Sequence, residues 1–152
     1  MSFYNENYEE YIDRTINADM GDIYKFFLKY AKTRGKLLDI GFGSGRDMLY
    51  FKSLGFDTYG IDPEPIFVSK AKEKGLEVEC IDINDCFLEY DKYDYIWACA
   101  SLLHIKKEKL NQVFIICSNL LKDNGIMYCS FKYGEFEGII DNRYYTNLNE
   151  ES

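Results

Sequence analysis

Gly41, Gly43 and Gly45 alternate through KLLDIGFGSGRD, residues 36–47, directly after the apolar run Leu37, Leu38 and Ile40. Glycine takes positive φ without steric cost and lets a ligand come close to the backbone. A helix opening after such a turn aims unpaired N–H groups and a positive dipole end at whatever lies above it. The chemistry this serves is the cradling of a nucleotide-like ligand. Two acids extend it. Asp62 lies 21 residues past Gly41, where a carboxylate accepts both hydroxyls of a ribose set over the turn. Asp82 is spaced to reach an adenine amino group, with Ile83 against the ring face. Each acid also has a plainer reading, as a helix cap or a turn residue.

These residues need elements to hold them. Leu37, Leu38 and Ile40 form a run too short for a helix before the glycines, so a buried parallel strand is expected. Residues 56–62 (FDTYGID) read as strand two, 76–82 (LEVECID) as strand three, 93–100 (YDYIWACA) as strand four and 126–133 (IMYCSFKY) as strand five. Strands two and three each end in an acid. Helical spacing fills the intervals: Met48, Leu49, Phe51 and Leu54 after the glycines, a helix opened by Pro63 and Pro65 and stopped at Gly75, and Leu110, Val113, Phe114, Cys117, Leu120 and Leu121 before strand five. Residues 84–90 read as irregular or a short helix, and Asp123-Asn124-Gly125 as a turn. Alternation of this kind with right-handed crossovers makes a doubly wound parallel sheet. Upstream, Tyr8, Tyr11 and Ile12 suit a short amphipathic helix, and Asp19 is placed to cap a second carrying Met20, Ile23, Phe27 and Tyr30. Residues 1–19 thus read as an arm that packs on the sheet or closes as a lid over the ligand. Residues 134–152 read as a loop-like tail of one domain, 1–152.

The 152 residues carry a net charge of −8, with no basic tract. Broad attraction to nucleic acid or an anionic membrane is not expected. The N-terminus is acidic and tyrosine-rich, unlike a signal peptide, and no apolar run approaches a membrane span. The five cysteines form no CxxC pair, so the expectation is buried free thiols in a reducing cytoplasm and no metal.

A nicotinamide dinucleotide and S-adenosylmethionine both suit the glycines and acids so far. Dinucleotide folds place a third glycine in GxGxxG, whereas position 46 is Arg46. With Asp39 inside the first strand and an apolar fourth strand, LLDIGFGSGRD, YGIDPEP, VECIDIND, YDYIWACASLLHI and LLKDNGIMYCSFKYG resemble the successive motifs of class I S-adenosylmethionine-dependent methyltransferases. The likeness is greatest to the methyltransferase-domain group of tellurite-resistance and ubiquinone-biosynthesis enzymes, and it runs from Tyr4 to Thr146. It implies a Rossmann-like α/β fold in a cytoplasmic enzyme with a small-molecule acceptor. It further implies that Asp39, Gly41, Gly43 and Gly45 hold the methionine moiety, Asp62 with neighbouring Pro63 the ribose, and Asp82 with Ile83 the adenine. Ala98, Cys99, Ala100 and Ser101 would line the methyl-transfer side. Tyr11 and Arg14 resemble arm residues that close over the cofactor, Arg14 facing its carboxylate.

Phe42 departs from the small residue usual at that place and would narrow the pocket mouth. The family's strands six and seven have no evident counterpart, so the chain is expected to lack them and to leave strand five with a bare edge open to a second chain. That leaves a rival reading, a non-catalytic module that binds the cofactor without an acceptor lobe; a nicotinamide-dependent oxidoreductase is the other. His104, the only histidine, follows strand four as a general base for an acceptor proton or a structural loop residue. Cys99 is not preceded by proline, as in cytosine-C5 methyltransferases, and no (D/N)PP(Y/F) motif of adenine-N6 enzymes is present. Lys132, Tyr133, Arg143 and Tyr144 follow strand five, where they meet an acceptor or lie in a solvated loop.

Overall fold

Strand β1 (Lys36–Ile40) is buried at every position after Lys36, as an apolar run covered on both faces by helices must be. The computed structural model describes residues 7–16, 18–140 and 143–149; Tyr4 and the extreme C-terminus lie outside them. Around β1 run β2 (Asp57–Asp62), β3 (Val78–Cys80), β4 (Tyr93–Ala98) and β5 (Leu121–Cys129), all parallel in the order β3-β2-β1-β4-β5. The helices are α1 (Tyr8–Thr15), α2 (Gly21–Leu28), α3 (Arg46–Ser53), α4 (Pro65–Glu73) and α5 (Lys107–Leu120). The chain runs outward from β1 through β2 to β3, then crosses back to lay β4 on the other flank of β1. Such a reversal opens a crevice beyond the carboxyl ends of β1 and β4, where ligands bind in open α/β sheets.

Alternation along the strands divides the core. Leu38, Ile40, Ile61, Ile96 and Ala98 pack with Leu110, Val113, Cys117 and Leu120 of α5. On the opposite face Leu37, Tyr95 and Trp97 meet Tyr24 and Phe27 of α2 and Phe51 of α3. Trp97 stacks on Tyr128 at 4.4 Å and takes Phe51 and Phe27 edge-on at 4.9 and 5.1 Å, the offset and T-shaped geometries aromatic quadrupoles favour. A third cluster joins Phe42, Met48, Phe67 and Val78, with Tyr8, Tyr11 and Ile12 of α1 laid against it.

The structure corrects several expected boundaries. Strand three shortens to Val78–Cys80 because the Leu76 amide closes the end of α4 on Ala71 O and Asp82 caps a 3-10 turn, Ile83–Asp85. Strand five begins at Leu121, straight from α5, and ends at Cys129. Its register jumps from Tyr93↔Leu121 to Tyr95↔Ile126, so Asp123-Asn124-Gly125 turns inside the ladder as a bulge, with Asn124 left-handed at φ 65°. Asp19 accepts the Gly21 amide at 2.9 Å from one residue before the N-cap, which is Met20 and not Asp19 as expected, and α2 stops before Tyr30. All five cysteines are free, and Cys80 is exposed rather than buried.

The largest correction concerns the C-terminal region. The expected absence of strands six and seven does not hold: β6 (Glu137–Ile140) and β7 (Arg143–Thr146) pair antiparallel, with Gly138↔Tyr145 and Ile139↔Tyr144 in register. They bond to each other and leave β5 at the edge of the main sheet. The hairpin is anchored by side chains: Tyr145 and Thr146 are buried, and the Thr146 hydroxyl donates to Ile105 O at 2.6 Å. It therefore stands beside the crevice. Among the described residues no helix is long and apolar enough to cross a membrane.

Candidate active site

The crevice is a cleft of about 580 Å³, within the range of small-ligand sites. Its floor is the glycine turn. Gly41, Gly43 and Gly45 all adopt positive φ, at 69°, 54° and 80°, a region L side chains rarely enter. A Cβ on Gly41 would stand 2.5 Å from Ser101 Cβ, and one on Gly43 2.7 Å from the Tyr11 hydroxyl. The turn is thus pressed between the end of β4 and helix α1, and Gly45 opens α3 toward the cleft.

Asp62 closes β2 beside this turn. Its Oδ2 accepts the Gly43 amide at 3.0 Å and its Oδ1 the Glu64 amide at 2.9 Å. Burial outweighs these bonds and pushes its carboxyl up to about 6. Asp82 lines the cleft while its Oδ1 takes both the Asn84 amide and the Asn84 Nδ2 at 2.9 Å. The turn role and a place on the cleft wall therefore coexist at both acids. Phe42, Pro63, Ile83, Cys99, Ala100, Ser101 and His104 line the cleft as well. The backbone after β4 is held in an unusual shape. Ala100 is left-handed at φ 52° and donates its amide to Ser130 Oγ at 2.7 Å. Burial pushes the Cys99 thiol up to about 11, which suits a packed thiol and not a nucleophile. Arg143 and Tyr144 reach the cleft from β7, whereas Lys132 and Tyr133 do not line it.

Four expected residues stand apart from the cleft wall. Gly45 and Ala98 sit behind it. Asp39 lies buried under the turn, its Oδ2 lacking a hydrogen-bond partner among the described residues; burial, with the charges of Asp47 and Asp62, holds its carboxyl well above the usual range. Arg14 is exposed, its guanidinium 5.7 Å from the Tyr11 ring centroid. The cation that lines the cleft beside the glycine turn is Arg46. It donates Nη1 to Thr15 O at 3.0 Å and Nε to Asp47 Oδ1 at 2.9 Å. Asp47 also accepts the Trp97 Nε1–H at 2.9 Å and the Tyr24 hydroxyl. This network ties the end of α1 to the glycine turn, and sequence reasoning missed it. One signal was present: a tryptophan inside an apolar strand needs an acceptor for its N–H when buried, and Asp47 falls in the first turn of the helix facing that strand.

His104 sits in a 3-10 turn, Leu102–His104. Its Nδ1 lies 2.7 Å from Tyr144 O and therefore donates, and its ring packs 4.8 Å from the Tyr145 ring. Burial, with the charges of Arg143 and Lys132, lowers its pKa. The neutral ring with a lone pair on Nε2 is thus the stable form at neutral pH.

Residues 37–125 match the family described as "Methyltransferase domain". Phosphoethanolamine N-methyltransferase of Plasmodium falciparum is 29% identical over an alignment of 130 residues that covers 76% of this chain and 49% of that protein. The chain thus spans about half the length of that relative. Among solved structures, the PH0226 protein of Pyrococcus horikoshii superposes with a TM-score of 0.70 at 28% identity, covering 76% of this chain and 61% of the other. The Burkholderia thailandensis 1,6-didemethyltoxoflavin-N1-methyltransferase, solved with 1,6-didemethyltoxoflavin and S-adenosylhomocysteine, gives a TM-score of 0.73 at 19% identity, over 97% of this chain and 68% of its own. That last likeness is one of fold.

Proposed function

This chain belongs to the methyltransferase-domain family, and from that premise we propose that it is an S-adenosylmethionine-dependent methyltransferase acting on a small-molecule acceptor. The observation that carries the reading is the Asp62 carboxylate, at the end of β2, bonded to the Gly43 amide of the turn that follows β1. A ribose acceptor and a glycine cradle stand there as one unit.

The residues present fit the cofactor. Its hydrogen-bond donors are ribose hydroxyls, an adenine amino group and an α-amino group, and the cleft wall carries Asp62, Glu64 and Asp82. The Ser101 hydroxyl lines the same cleft, buried and without a partner among the described residues, so a bound ligand would satisfy it. When bound, S-adenosylmethionine supplies a methyl group already activated on a sulfonium, so placing an acceptor in line contributes much of the rate. Asp62 holds the ribose, and Asp82 with Ile83 the adenine. Tyr11, packed 5.2 Å from the Phe67 ring, covers the glycine turn and excludes water, with α1 fixed by Arg46 on Thr15 O. His104 accepts the acceptor's proton at Nε2 while Tyr144 O holds the ring through Nδ1.

Two observations support a small acceptor. The cleft is walled by α1 on one side and the β6–β7 hairpin on the other, and relatives of the chain are named for phosphoethanolamine and a toxoflavin precursor. Incubation with methyl-tritiated S-adenosylmethionine and a cell extract tests this reading. Label is expected in the low-molecular-mass fraction, and label confined to protein or nucleic acid would overturn it.

A further inference from the structure

The charges lining the cleft are sorted along the sheet. Asp62, Glu64 and Asp82 follow β2 and β3. Lys106 and Lys109 follow β4, and Arg143 comes from β7 beside them. In the strand order β3-β2-β1-β4-β5 these sets stand on opposite sides of β1. The protein as a whole carries a charge of −8, so three cations on one cleft wall run against its composition.

Three features strengthen that positive end. Lys106 and Lys109 make no ion pair among the described residues. They flank the start of the 14-residue helix α5, whose N-terminal dipole adds to their field. Lys132 and Arg143 both lie near the Tyr145 ring, at 4.3 and 5.4 Å, and both disfavour a proton on His104. One carboxylate already responds to this field. Glu137 Oε2 accepts the Lys107 amide at 2.7 Å and the Tyr144 hydroxyl at 2.6 Å, which fastens the hairpin to the helix from outside the cleft wall. Arg46, the cation nearest the donor end, is engaged by Asp47.

We propose that the methyl acceptor is a small anion whose carboxylate or phosphate is held by Lys106, Lys109 and Arg143, its methylated atom turned toward His104. The inference rests on the methyltransferase reading of the same cleft. Carboxylate and phosphate share the chemistry that recognises them, charge-assisted hydrogen bonds from Lys and Arg.

The test is calorimetry on protein saturated with S-adenosylhomocysteine at low salt, titrated with inorganic phosphate and, separately, acetate. At least one anion binds in the millimolar range, and the tighter one names the group. Lys109→Gln/Arg143→Gln weakens that binding about tenfold or more, leaves the S-adenosylhomocysteine affinity within about twofold, and Lys122→Gln on β5 changes neither. If Arg143→Gln loosens the hairpin, Lys106→Gln/Lys109→Gln carries the same test on two exposed side chains. Absence of anion binding, or equal binding by the double variants, overturns the proposal. So does competition between phosphate and S-adenosylhomocysteine, which would give the cations to the cofactor's own carboxylate. A parent protein that fails to bind S-adenosylhomocysteine fails the underlying reading instead.

Discussion

Gly43→Val removes cofactor binding and leaves the sheet folded; S-adenosylhomocysteine affinity is expected to fall about 100-fold or more. Two effects add. Gly43 sits at φ 54°, where a residue with a side chain costs roughly 1–2 kcal/mol and a β-branched one is a genuine outlier. The new Cβ would also stand 2.7 Å from the Tyr11 hydroxyl, so the side chain fills the space between the turn and α1 where the ligand must pass. Neither effect reaches the core clusters on the two faces of the sheet. Gly75→Val is the matched control. Gly75 has φ 80° with nothing within 4 Å of an added Cβ, and it does not line the cleft. Urea unfolding should show both variants folded and destabilised, Gly43→Val the more because of Tyr11, with binding lost only at position 43. A folded Gly43→Val protein that binds as the parent does would remove the turn from the site.

Asp62→Asn should weaken S-adenosylhomocysteine by about 1–3 kcal/mol at pH 7.5, because ribose hydroxyls lose a charged acceptor. Asparagine also presents an N–H₂ to one of the amides of Gly43 and Glu64, both of which now donate to the carboxylate. The pH profile separates charge from shape. Burial raises the Asp62 carboxyl from 3.8 to about 6 in the cofactor-free protein, while hydroxyl donors favour the ionised form. Affinity therefore falls as pH drops through about 6 in the parent, and this step is absent in Asp62→Asn. The same shift acts oppositely on stability. A folded-state pKa above the unfolded one contributes stability present below pH 3.8 and lost as pH rises through about 6. The cofactor-free parent should thus lose stability over that window, the loss being smaller in Asp62→Asn, with Asp39 adding to the remaining loss and the lowered His104 opposing it. A flat affinity profile in the parent would show that Asp62 does not contact the ligand.

What was legible in the chain was local. Three glycines, an apolar run before them and an acid about twenty residues on are set by neighbouring residues, and a parallel doubly wound sheet follows from alternation and crossover handedness, while the order β3-β2-β1-β4-β5 does not. Residues that depend on distant partners were hidden. Arg46 and Asp47 gain their roles from Thr15, Tyr24 and Trp97, whereas Arg14, singled out by its likeness to arm residues of the family, is exposed and off the cleft wall. The β6–β7 hairpin was missed because each strand has four residues, and only Tyr145 and Thr146 are buried within them. Its stability comes from the β4–α5 connection, through Ile105 O and His104, which period-two patterning cannot reveal. Lys106 and Lys109 carry no signal in the sequence, because only the fold sets Arg143 beside them on the cleft wall.

The most direct test of the central claim is calorimetric titration of the parent protein with S-adenosylhomocysteine and, in parallel, with NADH. A cleft built from left-handed glycines, Asp62 and Asp82 should bind one S-adenosylhomocysteine per chain in the micromolar range, about −8 kcal/mol, and give no heat with NADH. A folded protein that binds NADH, or neither ligand, would contradict the assignment of this cleft to S-adenosylmethionine.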